Sequence, residues 1–275
     1  MSSSPHPYLD APRPRAFAHR GWHLDDLAGM ENTLAAFRRA ADEGFSYCET
    51  DVHATSDGVL VVHHDATLRR MTGLADAVRT TSWADLASAR VRGREPLHRL
   101  EEVLEALPDM RFNVDLKSPG TVGPITTLLE SDDVARRVAV ASREETRLDA
   151  VRRRCGDRVV TGVAARSALA LRARSLVPGP VGRALLPVGG SMAQLPERLG
   201  VLPVVDRRSI RTAHDLGIEV HVWTVDDPGE MHRLLDDGVD GLMTDRPDLL
   251  REVLLARGTW VAGPGSGDGG GRSRG

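Results

Sequence analysis

The chain has almost no lysine. All but one of its 36 basic residues are arginine, and Lys117 is the exception. A lone exception points to a chemical reason, because an ammonium is a compact point charge on a thin stem and a guanidinium is a wide planar fork. Cysteine is scarce too: Cys48 and Cys155 are the only two in 275 residues, too few for a disulfide framework, and both read as buried thiols rather than ligands or nucleophiles. No apolar run approaches the length of a membrane span, and the N-terminal MSSSPHPYLDAPRPR has no apolar core of signal-peptide length, so a cytoplasmic location is expected. There is no excess of positive charge either. The formal net charge is -3 with both signs mixed along the chain, which argues against nucleic acid and against stable association with a membrane surface. No pattern speaks to the oligomeric state.

What is present is a hydrophobic content of 41% over 275 residues, enough to bury a large core, in a length that suits one (β/α)8 barrel of about 250 residues. Residues 1–14, rich in Ser and Pro, and 258–275, rich in Gly, are expected to be disordered, leaving one domain over 15–257. FAHRG reads as a short strand ending in His19, Arg20 and Gly21. ENTLAAFRRAADEG reads as a helix, with Asn32 or Thr33 as N-cap, Leu34, Phe37 and Ala41 at helical spacing, and Gly44 as its stop. SYCETDVHAT alternates so that Tyr47, Glu49 and Asp51 share one face, and VLVVHHD is an accessory strand ending in His63, His64 and Asp65. After a long connection, LHRLEEVLEAL is an amphipathic helix, and RFNVDLKSP is a strand that brings Asp115 and Lys117 to one side of its end. RVAVAS, DRVVTGV, RALLPV, IEVHVWTV and VDGLMTD read as further strands, alternating with the helices EETRLDAVRRR, RSALALRAR, IRTAHDLG, PGEMHRLLDDG and RPDLLREVLLARG. The count is eight barrel strands. Polar groups gather at strand ends, as in a TIM barrel whose C-terminal face carries the site.

HRG, ENTLAAF, ETDVHATSDGVLVVHHD, TLRRMTG, NVDLKSP, HVWTVDDP and GVDGLMTDRPDLL follow one another over roughly residues 15 to 254. In this order they resemble the glycerophosphodiester phosphodiesterase family. The resemblance implies metal-dependent hydrolysis of a small-molecule glycerophosphodiester to glycerol 3-phosphate and an alcohol. It maps the metal ligands to Glu49, Asp51 and Asp115. That family often has Glu where this chain has Asp115, and the shorter arm could lengthen or water-bridge one ligand contact. The resemblance also implies that Trp223 lines the pocket against the glycerol, with core packing as the alternative. In that family an insertion after the second barrel strand forms a small cap beside the mouth; here it is short, and a more open mouth is expected.

The residues support the same chemistry on their own. Glu49, Asp51 and Asp115 are three oxygen donors suited to one hard divalent cation, Mg2+ or Ca2+, the alternative being ion pairs with Arg20 and Lys117. His19 and His64 close separate strands, where one can take a proton from the nucleophile and the other give one to the leaving alkoxide. His63 should face away, and His23, His53, His98, His214, His221 and His232 read as packing or capped surface groups. Arg20 offers its fork, and Lys117 its point charge, to phosphate oxygens. Two rivals follow. A phospholipase C- or D-like activity on lipids would need an apolar rim that the polar connection after Asp65 does not supply. A non-catalytic phosphodiester-binding barrel would have no need of the full set of eight residues.

Overall fold

The computed structural model describes residues 6–177, 188–199 and 202–264. Eight parallel strands form its centre: β1 (Arg15–His19), β2 (Tyr47–Ala54), β3 (Arg111–Leu116), β4 (Val138–Ala141), β5 (Val160–Thr161), β6 (Met192–Pro196), β7 (Glu219–Trp223) and β8 (Gly241–Thr244). Their order is β5-β4-β3-β2-β1-β8-β7-β6. The ring closes between β5 and β6, where the Val163 N–H donates to Met192 O at 2.8 Å and the Ser191 N–H to Thr161 O at 2.9 Å. Gly190 makes that approach possible: its φ is +109°, and a Cβ there would stand 2.5 Å from Gly162 O. The fold is the expected (β/α)8 barrel.

Helices α1 (Leu34–Asp42), α2 (Leu100–Ala106), α3 (Val122–Leu128), α4 (Glu145–Cys155), α5 (Ala165–Leu176), α6 (Arg207–His214), α7 (Pro228–Asp237) and α8 (Pro247–Ala256) surround it. The main core lies between this layer and the outward strand faces, with Phe37, Phe112, Leu100, Ile125 and Leu250 fully buried. A second cluster, Phe17, Tyr47, Ala139, Val160, Met192 and Met243, fills the barrel from inside. The short strand Leu60–Val62 pairs antiparallel with the end of β2, as the accessory strand was expected to. The insertion between it and α2 has its own small core of Leu68, Met71, Val78, Leu86 and Val91, joined by Met30 and Val61.

Several expectations are revised. The sixth strand was placed at RALLPV, of which residues 183–187 lie outside the described residues; β6 is Met192–Pro196 instead, a run whose Gln194 and Pro196 hide it from an apolar-run reading. Two helices come in addition to those expected: α3, whose segment TVGPITTLL carries Gly, Pro and β-branched residues that weigh against helix, and the short helix Asp132–Arg137. Residues 6–14 are ordered rather than disordered: Tyr8 is fully buried as a plug under the barrel and stacks edge-on against Tyr47 at 5.3 Å. The tail is likewise ordered as far as residue 264, with Trp260 packed on Phe45 at 5.0 Å and the Gly263 N–H donating to Gly44 O at 2.8 Å. In both segments one large aromatic finds apolar surface that composition alone does not reveal.

Candidate active site

The turn after β1 sets the geometry. Arg20 and Gly21 both have left-handed backbones, with φ of +57° and +85°, and Gly21 lies so close to α1 that a Cβ would stand 2.8 Å from the Ala36 carbonyl carbon. This turn folds Arg20 back over β2, where its Nε stands 3.0 Å from Asp51 Oδ2. Asn32, also left-handed at φ +57°, donates from Nδ2 to Asp51 Oδ2 at 2.8 Å and accepts from Thr50 Oγ1 at 2.8 Å. Thr33 is therefore the N-cap of α1, its hydroxyl accepting from the Ala36 N–H at 3.2 Å. Asn32, the other N-cap candidate, instead orients a carboxylate.

Glu49 and Asp51 point inward from β2, and Asp51 stands in register with Asp115 on β3. Lys117 bridges that pair, its Nζ 2.8 Å from Asp51 Oδ1 and 2.6 Å from Asp115 Oδ2. Asp51 is thus ion-paired with both Arg20 and Lys117, and Asp115 with Lys117, while Glu49 pairs with neither side chain. Among the described residues, no three His, Cys, Asp or Glu side chains are grouped so as to hold a metal ion. Burial pushes the Asp51 carboxyl up, but Lys117 and Arg20 outweigh it and hold it below the usual carboxylate range. Glu49 goes the other way: burial first, then the neighbouring Asp51, drive its carboxyl well above that range. Among the described residues its side chain meets only the Arg20 N–H, which donates at 3.3 Å, and His19 Nε2 at 3.6 Å. A buried carboxylate so poorly compensated stands where positive charge would be favoured.

Each histidine of the expected pair has an aspartate on Nδ1. His19 Nδ1 is 2.6 Å from Asp245 Oδ1, and His64 Nδ1 is 2.7 Å from Asp65 Oδ1. Asp245 is itself fixed by the Asp226 carboxylate, which accepts its N–H at 2.8 Å. Although burial pushes the Asp245 carboxyl up, His19 and His23 hold it well below its ordinary value. Asp65 is held low chiefly by its hydrogen bond with Arg70. His63 is buried and turned to Thr67 O at 3.0 Å, facing away as expected. Trp223, at the C-terminal end of β7, is 41% exposed, which places it on the mouth rather than in the core.

Sequence reasoning missed Asp245, Glu31, Arg70 and His23. Asp245 follows β8 directly, so the strand-end rule used for the other strands would have found it. His23 was assigned to packing, but its Nε2 lies 3.3 Å from the same Asp245 oxygen that holds His19. Glu31 accepts from Arg20 Nη1 at 2.9 Å.

The profile of the Glycerophosphoryl diester phosphodiesterase family matches residues 19–249. A relative from Mycobacterium tuberculosis, "Probable glycerophosphodiester phosphodiesterase 2", is 41% identical over 247 residues, covering 89% of this chain and 92% of its own. "Lysophospholipase D GDPD1" of Rattus norvegicus is 25% identical over 279 residues, covering 87% of this chain and 86% of its own. Among solved structures, an Oleispira antarctica phosphodiesterase in complex with the product sn-glycerol-3-phosphate superposes with a TM-score of 0.71 at 21% identity, over 88% of this chain and 97% of that one. With eight parallel strands, charged side chains gathered at their C-terminal ends and a family match over most of its length, the chain belongs to the glycerophosphoryl diester phosphodiesterase family and is a phosphoric diester hydrolase.

Proposed function

We propose that the protein hydrolyses glycerophosphodiesters to sn-glycerol 3-phosphate and an alcohol, with His19 and His64 as the acid/base pair and Arg20 and Lys117 as the phosphate-binding cations. One observation carries this reading: both histidines are held through Nδ1 by an aspartate, at 2.6 Å and 2.7 Å, at the end of the barrel where Arg20 and Lys117 flank Asp51. With Nδ1–H donated to a carboxylate, each Nε2 is the nitrogen left to accept or return a proton. One takes the proton of the attacking water or glycerol hydroxyl; the other protonates the departing alkoxide. Arg20 presents a fork to non-bridging phosphoryl oxygens and Lys117 a point charge, so both stabilise charge that grows there. Trp223 offers an apolar wall for the glycerol carbons.

One divalent cation, Mg2+ or Ca2+, is the cofactor we infer, with Glu49, Asp51 and Asp115 as its ligands. Their oxygen-only donor chemistry and the undercompensated Glu49 fit such an ion, while Lys117 would have to release one carboxylate to admit it. When bound, the ion supplies positive charge against the phosphoryl oxygens.

The test is turnover of a glycerophosphodiester panel with Mg2+, Ca2+, Mn2+ or chelator, and calorimetric titration of each ion into wild type, Glu49→Gln and Asp51→Asn. Both variants are expected to lose ion affinity and turnover while keeping the fold, and unchanged affinity would sink the metal assignment. His19→Ala and His64→Ala should each cost roughly 10²-fold or more. A second reading, lysophospholipase D activity, is favoured by the rat relative of that name, and lysophosphatidylcholine in the same panel decides between the two.

A further inference from the structure

Arg70 stands in the short helix Arg69–Thr72 of the insertion, away from the barrel strands. Its guanidinium reaches two carboxylates at once: Nε donates to Asp65 Oδ2 at 2.6 Å, Nη1 to Glu31 Oε2 at 3.0 Å and Nη2 to Glu31 Oε1 at 2.8 Å. Asp65 is the residue that holds His64 Nδ1, at 2.7 Å, and Glu31 is the residue that holds Arg20 Nη1, at 2.9 Å. We propose that Arg70 is a positioning residue of the active site: by bridging Asp65 and Glu31 it orients His64 and Arg20, an acid/base group and a phosphate-binding group carried on different loops.

An exposed arginine paired to one carboxylate would carry little weight, since solvent screening and side-chain entropy offset most of the attraction in such a pair. Three features separate Arg70 from that case. Both of its partners have a second bond to a group of the site, so movement of the guanidinium is transmitted to His64 and Arg20. The contact needs a fork with several fixed donors, which lysine does not have. Finally, the base of the fork is fixed: Leu68 and Met71, on either side, are buried in the insertion's own core with Val78 and Leu86. This gives the insertion a task. It is a small hydrophobic mount that holds one guanidinium over the loops that carry His64 and Arg20.

The inference rests on the roles assigned above to His64 and Arg20, and the experiment separates the two levels. Steady-state kinetics would be measured for Arg70→Met, Arg70→Lys, His64→Ala and Arg20→Met, for the double variants of Arg70→Met with each of the last two, and with both a glycerophosphodiester and a nitrophenyl phosphodiester. Arg70→Met should lose about tenfold to a hundredfold in kcat/KM. Arg70→Lys should recover less than half of that loss on a logarithmic scale. Arg70→Met should show the same dependence on leaving group as His64→Ala, a signature that loss of mere structural support would not copy. In each double variant the combined loss should fall short of the product of the single losses by at least about threefold. Should the losses multiply in either cycle, or should Arg70→Met turn over like wild type, the bridge has no positioning role. Wild-type turnover in His64→Ala or Arg20→Met would instead remove the acid/base and phosphate assignments, whatever Arg70 does.

Discussion

Lys117 places one ammonium 2.8 Å from Asp51 and 2.6 Å from Asp115, on a strand end where every other basic residue of the chain would have been an arginine. Burial opposes its charge, but Asp115 and Asp51 outweigh burial and raise its pKa above the ordinary lysine value, so it stays protonated at neutral pH. A guanidinium in its place would be too wide to sit between the two carboxylates and still face a phosphate, although it would keep the charge. Lys117→Arg is therefore expected to lose about 10²-fold in kcat, the size of one misplaced preorganised charge, with the melting temperature little changed. Kinetics and thermal denaturation on the same sample decide it. A near-wild-type kcat would make the lone lysine an accident of composition.

The element that controls the site's geometry is the β1–α1 turn. Gly21 takes φ +85° with its α-carbon against the Ala36 backbone, and no other residue fits both conditions. Gly21→Ala is expected to cost about 1–3 kcal/mol of stability and to lower activity as well, because α1 must shift and Arg20 and Asn32 shift with it. A melting curve unchanged from wild type would show that the turn yields without strain. Much of the candidate site around this turn was legible in the sequence, because His19, Glu49, Asp51, Asp115 and Lys117 announce themselves through strand ends and a period of two. What was not legible depends on contacts between distant residues. Asp245 meets His19 only because β8 closes against β1, 226 residues away in the chain. Glu31 and Arg70 look like ordinary surface charges until the insertion folds back, and β6 hides behind an inward Gln194. Tyr8 went unread for a different reason: Ser- and Pro-rich surroundings mask one aromatic that plugs the barrel.

At the scale of the whole barrel, chemistry and stability occupy opposite ends. The mouth carries the carboxylates and histidines, and the floor is closed by the N-terminal plug and a buried ion pair. Arg15, only 2% exposed, grips Glu219 with Nε and Nη2, both at 2.8 Å, and donates to the Leu9 and Ala11 carbonyls of the plug at 2.7 Å and 2.6 Å. Breaking such a pair from one side leaves a buried charge uncompensated, typically about 3–5 kcal/mol. Glu219→Gln should accordingly lower the melting temperature near pH 7 by roughly 10 °C, and kcat at 25 °C should stay near wild type because the site is at the other end. The pair also fixes how stability responds to acid. Burial pushes the Glu219 carboxyl up, but Arg15 and His221 overcome it and bring the value down from 4.5 to about 2. A carboxyl depressed in the folded state stabilises fully above its unfolded value, and the contribution fades as pH falls through the folded one. The wild-type advantage over Glu219→Gln should therefore be complete above about pH 5 and shrink steadily between pH 4.5 and 2, as wild type takes up a proton there that the amide cannot. Parallel melting curves for the two proteins across that interval, with a constant gap, would show that the Arg15–Glu219 pair does not close the barrel floor as an ion pair.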